Sequence, residues 1–374
     1  WTLSETDLEY IAEGGAFMGS GGGGSPRLAL LQAKMALRDG KVFRVVSPES
    51  LPEDALVAPT GYMGAPGVMV EKLPGGGEMS ASMKLREAAT GDIITHTMPV
   101  EIGGFNCLSA LIAAAHAGTM AVDADSMGRA FPELQMMSFF MAGVPVRLAT
   151  MCNEKAAASP VEGEEGVAVC RDPGSAAALE DEFRKCVVEF GCTGGVSFLA
   201  VTKEEVLRGA VLHTVSAAWG LGKAMAAARA AKANVSAAIL EAMPGKVLVT
   251  GTVLAVVRNT VDGFTVGTLK VGTPGASSFI EVHFKNEFVV AFEQPSGAAL
   301  ASVPDIISLV DADTGRPVLT DEARFGLRVS VVACCCASIL RTTDFLKVVG
   351  PHAFGFEGVT YTPLPGYKPP VPVV

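Results

Sequence analysis

The stretch "DIITHTMPVEIGGFNCLSALIAAAHAGTMAVDAD" (residues 92–125) decides the fold class, because a helical pattern separates two strand-like runs within it. The runs "DIITHTMPV" and "TMAVDAD" are short and apolar, as strands buried on both faces are. Between them, "NCLSALIAAAHAG" has the composition of a helix, with Asn106 as its expected N-cap. A strand, a helix and a strand in this order form a parallel pair with a crossover helix. The sequence therefore predicts an α/β sheet, parallel or mixed, that helices cover on both faces.

The same alternation continues on both sides of this stretch. Toward the amino terminus, "KVFRVV" and "ALVAPT" are typical of strands, and "SETDLEYIAEGG" and "RLALLQAKMALRDG" are typical of helices. Toward the carboxyl terminus, helical patterns extend as far as Pro244, after which short runs rich in Val, Thr and Phe predict an antiparallel β unit. We therefore predict an α/β domain at 1–165 and a carboxyl-terminal domain at 166–374, helical over 175–243 and β-rich over 244–374.

Composition and charge exclude several classes of function. Hydrophobic residues make up 49% of the 374-residue chain and charged residues 18%, which is typical of an ordered globular protein. The net charge of −10 argues against nucleic-acid binding, and no apolar run reaches the length of a membrane span. Eight cysteines without a C-x-x-C pair, and first residues without a signal-peptide pattern, predict reduced thiols and a cytoplasmic protein.

A glycine run, "GSGGGGSP" (residues 19–26), lies between two predicted helices. Its spacing satisfies the dinucleotide fingerprint G-x-G-x-x-G, but that fingerprint requires a preceding strand, and a helix is predicted here. A plain turn is the second interpretation. The third, which we favour, is a ligand cradle in which backbone N–H groups lead into the following helix. The substrate-binding residues predicted in this loop are Gly21, Gly22, Gly23, Gly24 and Ser25.

The richest polar cluster lies in "MPVEIGGFN" (98–106) and "AVDADSMGRAFPELQ" (121–135). Glu101 and Asp123 each follow a short apolar run, so both are expected at the carboxyl ends of neighbouring strands, where α/β sheets bind ligands. If the second strand continues, Asp123 and Asp125 lie on the same side of it.

The second segment of this cluster also carries a positive charge and another carboxylate. If the segment "PELQMMSFFMAG" and the residues before it are helical, Arg129 and Glu133 are one helical turn apart. Such a set of groups is typical either of acid–base chemistry on a polar ring or of a structural ion-pair network. The predicted catalytic residues are Asp123, Asp125, Glu101 and Arg129, and the further predicted substrate-binding residues are Glu71, Asn106 and Glu133.

Other loops carry weaker signals. "GYMGAPGVMVEK" (61–72) ends in Glu71 and Lys72, which form either part of a binding site or a solvated pair at a surface turn. "GCTGGVS" (191–197) offers backbone donors, and Cys192 is a nucleophile candidate without a base at a diagnostic spacing. The five histidines have no metal-binding spacing, so a divalent metal cofactor stays an open question.

The segments "MGSGGGGSP", "GYMGAPGVMVEK", "MPVEIGGFN" and "VDADSMGRAFPELQM", in this order, resemble the family once called DUF917, now described as the S-methyl-thiohydantoin desulfurase family. Later segments, among them "KNEF" and "VGPHAFGF", are similar to its carboxyl-terminal domain. The resemblance implies two domains, an association with hydantoinase- or oxoprolinase-type ring-opening enzymes and, in some members, hydrolytic removal of sulfur from thiohydantoin-like rings. The segment "HTVSAAWGLGKAM" departs from the family pattern, because His213 stands where Gly is usual.

The residues and the resemblance lead to one functional hypothesis and two alternatives. We expect a hydrolase in which water attacks a cyclic amide or thiohydantoin-like ring, with Asp123 or Asp125 as base and Arg129 stabilising the leaving group. The alternatives are a non-catalytic partner subunit of a hydantoinase- or oxoprolinase-type enzyme, and a nucleotide-binding protein. The expected partners are a small-molecule substrate with an amide or thioamide ring, further copies of the chain in a homo-oligomer, and a hydantoinase- or oxoprolinase-like protein. Neither nucleic acid nor a membrane is an expected partner.

Overall fold

The computed structural model describes residues 1–64, 66–261 and 264–373. Ala65, in the predicted loop at 61–72, and Gly263, at the start of a predicted strand, lie outside the described residues. The helices are α1 (Glu5–Met18), α2 (Pro26–Arg38), α3 (Pro66–Glu71), α4 (Glu78–Thr90), α5 (Asn106–Ala117), α6 (Ser138–Met141), α7 (Ala176–Glu189), α8 (Lys203–Gly209), α9 (Thr214–Ala230), α10 (Val235–Ala242) and α11 (Thr343–Val349). None of the helices in these ranges is long and apolar enough to cross a membrane.

The first sheet is mixed, as the alternation of strands and helices predicts. The strands of this half are β1 (Val45–Val46), β2 (Leu56–Gly64), β3 (His96–Pro99), β4 (Met120–Val122), β5 (Ala124–Asp125), β6 (Ala149–Cys152), β7 (Val167–Cys170), β8 (Thr193–Ser197), β9 (Val201–Thr202) and β10 (Val211–Leu212). Within the described ranges, the sheet has the order β1-β4-β3-β2-β8-β6-β7, and β9 also pairs with β2. Strands β1, β4, β3 and β2 are parallel, and the remaining pairs are antiparallel.

The stretch at 92–125 forms the predicted strand, helix and strand. Helix α5 connects β3 to β4, and these two strands are parallel neighbours. The predicted domain boundary after residue 165 falls between β6 and β7, which pair with each other in this sheet. The division of the chain into two domains at that residue stays a prediction.

The second sheet is antiparallel, which confirms the β unit predicted after Pro244. Its strands are β11 (Gly245–Val261), β12 (Phe264–Gly272), β13 (Phe279–Lys285), β14 (Glu287–Gln294), β15 (Ala299–Ser302), β16 (Ile306–Asp311), β17 (Pro317–Val318) and β18 (Arg328–Cys334). Among the described residues, the order is β15-β14-β13-β12-β11-β18-β16-β17. Strand β14, which begins at Glu287, is the part of this sheet that contributes to the site described below.

The continuous helix predicted over "PELQMMSFFMAG" (132–143) does not form. Only a 3-10 turn at Leu134–Met136 and the single-turn helix α6 form there. Tertiary hydrogen bonds override the helical propensity, because the Ser138 N–H donates to the Ser126 carbonyl at 2.7 Å. Arg129 and Glu133 are therefore not one helical turn apart.

Two further local predictions also need correction. The strand that carries Asp123 does not continue, because β4 ends at Val122 and β5 pairs with β10 outside the main sheet. The N-cap of α5 is Phe105, and Asn106 is the first residue of the helix. The Asn106 side chain does not cap the helix, since it bonds to the Tyr62 backbone on β2.

Candidate functional site

The glycine run joins the first half of the chain to the second sheet through its carbonyl groups. The Phe288 N–H donates to the Ser20 carbonyl at 2.8 Å, and the Thr320 N–H donates to the Gly21 carbonyl at 3.0 Å. On the other side, the Phe105 N–H donates to the Gly23 carbonyl at 2.7 Å. The loop is therefore held between the segment that follows β3 and the beginning of β14.

Close packing explains why this loop consists of glycine. A Cβ on Gly22 would lie 2.1 Å from Glu287 Oε1, and a Cβ on Gly23 would lie 2.5 Å from the Gly103 carbonyl oxygen. Gly21, Gly23 and Gly24 also have positive φ values, which glycine adopts readily. The loop follows helix α1, so the strand that a dinucleotide fingerprint requires does not precede it.

A compact cavity of about 90 Å³ lies beside this loop. Its lining residues are Gly23, Gly24, Tyr62, Met63, Gly64, Met69, Val100, Glu101, Phe105, Asn106, Met127, Phe131, Pro132, Glu133, Leu134, Glu180, Arg184, Val196, Phe198, Asn286 and Glu287. A cavity needs roughly 10–15 Å³ to hold one water molecule, so this one has space for a small compact ligand. Most of its walls are apolar, and its polar groups come from both halves of the chain.

Glu101 is a buried carboxyl at the wall of this cavity. It follows β3, and the Asn106 Nδ2 donates to its Oε1 at 2.8 Å, while the Phe131 N–H donates to its Oε2 at 3.2 Å. Burial raises the pKa of the Glu101 carboxyl to about 7, and those two hydrogen bonds limit the rise. A carboxyl with this pKa is half ionised near neutral pH, which suits a general base.

Asn106 fixes the position of Glu101. Its Oδ1 accepts a hydrogen bond from the Tyr62 N–H at 2.8 Å, and its Nδ2 donates to the Tyr62 carbonyl at 3.2 Å. The side chain thus bridges the start of α5 and strand β2, and it lines the cavity, as predicted for a substrate-binding residue. Its binding role stays a prediction.

Glu287 is another buried carboxyl in the lining, and the sequence reasoning missed it. It begins β14 directly after Asn286, which turns the chain from β13 in the left-handed conformation with a φ of 58°. Burial, and then the neighbouring charge of Glu101, raise the pKa of the Glu287 carboxyl well above its usual range. The available signal was "KNEF" (285–288), a charged residue placed between a turn and an apolar run.

Asp123, a predicted catalytic residue, follows β4 and is fully buried. Its side chain contacts the first turn of α9. Its Oδ1 accepts from the Ser216 N–H at 2.9 Å, and its Oδ2 accepts from Ser216 Oγ at 2.6 Å and lies 3.3 Å from His213 Nδ1. A carboxylate at a helix N-terminus is favourable because it meets the free N–H groups and the positive end of the helix dipole.

Asp125 is also fully buried, and one of its oxygens is used by the backbone. Its Oδ2 accepts hydrogen bonds from the N–H groups of Ile102 at 2.9 Å, Met127 at 3.1 Å and Gly128 at 2.7 Å. Burial raises the pKa of the Asp125 carboxyl to about 7 despite these bonds. This arrangement fixes the segments after β3 and β5 relative to each other.

Arg129 ties these segments to the second sheet. Its Nη1 donates to the Asp305 carbonyl at 2.7 Å, and its Nη2 donates to the Phe288 carbonyl at 2.8 Å. The guanidinium also lies 5.0 Å from the centre of the Phe131 ring, and burial lowers the Arg129 pKa to about 10. Asp123, Asp125 and Arg129 are not among the lining residues of the cavity, and their predicted catalytic roles stay predictions.

The remaining predicted residues are placed as follows. Glu133 lines the cavity and forms an ion pair with Lys285 of β13. Glu71 is exposed at the end of α3, and Ser25 is the N-cap residue of α2, although its side chain makes no capping hydrogen bond. Gly23 and Gly24 line the cavity, whereas Gly21, Gly22, Ser25 and Glu71 are not among its lining residues. Cys192 likewise lies outside the cavity lining. Among the described residues, no group of three or more His, Cys, Asp or Glu side chains could hold a metal ion.

A second cavity, of about 360 Å³, lies between the start of α9 and the carboxyl-terminal tail. Its walls are largely apolar, and Glu241, the carboxyl-bearing residue in its lining, is exposed. Burial raises the pKa of the Cys336 thiol in this lining to about 12, which makes the reactive thiolate scarce. The smaller cavity, whose lining includes the buried carboxyls of Glu101, Glu180 and Glu287, is therefore the candidate functional site.

Comparison with known proteins agrees with this architecture. Residues 6–162 match the family described as "S-Me-THD-like, N-terminal domain", and residues 174–364 match "S-Me-THD-like, C-terminal domain". No curated protein matches the chain. The crystal structure of a protein from Chromobacterium violaceum, 23% identical, is similar over 98% of this chain and 100% of that chain, and the TM-score of 0.80 shows a common fold. Because the two family matches cover most of its length, the chain belongs to the S-Me-THD-like family.

Proposed function

We propose that the chain is a hydrolase that acts on a compact five-membered cyclic amide or thiohydantoin-like ring in the smaller cavity. The observation that carries the proposal is the Glu101 carboxyl, which is buried at the cavity wall and has a pKa of about 7. The match to the S-Me-THD-like family supports the class of substrate. The reaction that fits both is the addition of water to a ring carbon, followed by loss of sulfur.

Glu101 is the general base in this proposal. For an S-methyl-thiohydantoin, the water oxygen forms a bond to the ring carbon that carries sulfur, and Glu101 accepts a proton from that water. The π-electron pair of the C=N bond moves to the ring nitrogen, which then takes this proton from Glu101. The neutral tetrahedral intermediate loses its sulfur group, and the products are a hydantoin and methanethiol. Each carboxylate oxygen has more than one lone pair, so the bonds from Asn106 and Phe131 leave Glu101 able to accept this proton.

The size of the cavity favours a compact ring over a nucleotide. Pockets that bury drug-sized ligands have volumes of roughly 300–1,000 Å³, well above the cavity volume of about 90 Å³ found here. The aromatic ring of Phe105 and that of Phe131 supply flat apolar walls for such a ring. The glycine run also follows a helix, whereas the fingerprint of dinucleotide-binding proteins requires a strand at that position.

Asp123, Asp125 and Arg129 have positioning roles in this proposal. Their hydrogen bonds hold the segment that follows β3, the start of α9 and the start of β14 in one arrangement. Glu101 and Glu287 extend from two of those segments, so their geometry depends on that arrangement.

The proposal is tested with the purified protein and a panel of hydantoin, thiohydantoin and S-methyl-thiohydantoin. Release of methanethiol or sulfide, and ring opening, are followed separately. We expect desulfuration by the chain alone, with a kcat/KM that rises with pH through about 7 as Glu101 loses its proton. Turnover of none of these compounds would contradict the proposal, and co-purification with an oxoprolinase-like chain would then favour the partner-subunit alternative.

A further inference from the structure

Glu287 differs from the other buried carboxyls around the cavity in the partners of its oxygens. The residue is 4% exposed, and a Cβ added to Gly22 would lie 2.1 Å from its Oε1. Its Oε2 is buried and has no hydrogen-bond partner among the residues that the structure describes. Both oxygens of Glu101, by contrast, accept hydrogen bonds.

The positive charge of Arg129 lowers the pKa of Glu287, but among the described residues the two side chains do not form an ion pair. The Arg129 side chain donates to the carbonyls of Ala130, Phe288 and Asp305, and within the described ranges it forms no ion pair with a carboxylate. A buried carboxylate without a direct cation or a full set of donors is costly, so the neutral form is favoured. Burial and the charge of Glu101 raise the Glu287 pKa accordingly.

We infer that Glu287 is a catalytic general acid, which holds a proton at the cavity wall and delivers it to the departing sulfur. The geometry behind this is a buried, unpartnered carboxyl oxygen in the same cavity as the proposed base, contributed by the other sheet. The inference rests on the proposed hydrolysis of a thiohydantoin-like ring and adds the group that completes it.

The step balances as follows. In the tetrahedral intermediate, the ring carbon carries a hydroxyl group and the S-methyl group. The C–S bond breaks with its electron pair on sulfur, and sulfur takes the proton of Glu287 to give methanethiol. The hydroxyl group on carbon becomes the carbonyl as its proton passes to the Glu287 carboxylate. Glu287 ends protonated, as it began, and no oxidant or reductant is needed.

The test varies the leaving group. Methanethiolate is a poor leaving group that needs a proton, whereas trifluoroethanethiolate, which is far less basic and still compact, leaves more readily without one. We expect Glu287→Gln to lower kcat/KM for S-methyl-thiohydantoin by about 100-fold or more, and for the S-trifluoroethyl analogue by only a few-fold. The matched control is Glu101→Gln, the same substitution at the base, which we expect to lower both rates by a similar factor.

The outcomes separate the inference from the function on which it rests. No turnover of either compound by the wild-type chain would overturn both. Turnover by the wild type, with a Glu287→Gln loss that is equal for the two leaving groups or absent, would overturn the acid role and leave the hydrolase in place. Hydantoin binding and the thermal midpoint are measured on each variant, so that a folding defect is recognised as such. If Glu287→Gln fails to fold, Glu287→Ala, which also removes the acid, replaces it, with the same dependence on the leaving group expected.

Discussion

Two pairs of buried carboxyls, Asp123 with Asp125 and Glu101 with Glu287, share burial but differ in whether they line the smaller cavity. Asp125 accepts three backbone N–H groups through one oxygen, and Asp123 accepts both the backbone and the side chain of Ser216. Glu101 and Glu287 line the smaller cavity, whereas Asp123 and Asp125 do not. Asp125 Oδ1 and Glu287 Oε2 both lack a hydrogen-bond partner among the described residues, but only the Glu287 oxygen belongs to a residue of the cavity lining. We infer that a buried carboxyl that joins backbone segments outside the cavity serves the fold, whereas one at the cavity wall is available for chemistry.

The largest effect on stability is expected from Asp125→Ala. This change leaves three buried N–H groups without an acceptor, at about 1–3 kcal/mol for each unsatisfied group. The free energy of unfolding, measured with a denaturant, should fall by several kcal/mol. Asp125→Asn is the matched control, because its amide oxygen can still accept these bonds, and it should be much less destabilising. Equal stability of the alanine variant and the wild type would show that Asp125 does not serve the fold.

A smaller loss is expected from Gly22→Ala. Gly22 does not have a positive φ, and the three atoms nearest to its added Cβ all belong to the Glu287 side chain. The clash should cost about 1–3 kcal/mol of stability, as overpacking does. In a Glu287→Ala background the same change should cost far less. A cost that is the same in both backgrounds would mean that the glycine is needed for another reason than the seating of Glu287.

The smallest effect is expected at His213, and its size depends on pH. Its hydrogen bond with Asp123, and then the charges of Asp123 and Glu49, raise the His213 pKa above its usual value. A raised folded-state pKa stabilises the protein below the unfolded-state pKa of about 6.5, and this contribution is lost as pH rises through the folded-state value.

The variant that isolates this charge is His213→Asn, because Asn tolerates the left-handed conformation that His213 adopts at a φ of 61°. The thermal midpoint of the wild type should exceed that of His213→Asn most at low pH, and the difference should shrink as the solution becomes alkaline. A difference that is constant with pH would exclude the charge as its cause. His213→Gly introduces the residue that is usual at this position in the family pattern. It should in addition relieve the strain of the left-handed backbone conformation at residue 213.

The sequence predicted those parts of the fold that local patterns specify. The alternation at 92–125 is sufficient to predict β3, α5 and β4 in a parallel arrangement, and it places Glu101 and Asp123 after neighbouring strands. The helix at 132–143 was predicted wrongly because a bond between Ser126 and Ser138, which no local pattern reveals, holds that segment in another conformation.

For the same reason, the sequence singled out only lining residues of the candidate cavity that lie in the first half of the chain, and their roles stay predictions. Glu101, Asn106 and the glycines lie in segments whose composition is unusual, so the sequence singles them out. Glu287 lies far along the chain, in a strand that looks ordinary. Its approach to Gly22 depends on how the second sheet packs against the glycine run, which is a tertiary property.

The most direct test of the account compares Glu101→Gln with Asp125→Asn in the turnover of S-methyl-thiohydantoin, at a temperature where both variants are folded. If the cavity carboxyl is the base, Glu101→Gln should lower kcat by about 10²–10⁴-fold, the usual contribution of general acid–base catalysis. Asp125→Asn should stay within a few-fold of the wild type, because its amide oxygen can still hold the backbone. The opposite result, an inactive but folded Asp125→Asn variant beside an active Glu101→Gln variant, would contradict this assignment. It would show that Asp125, and not Glu101, is required for the reaction.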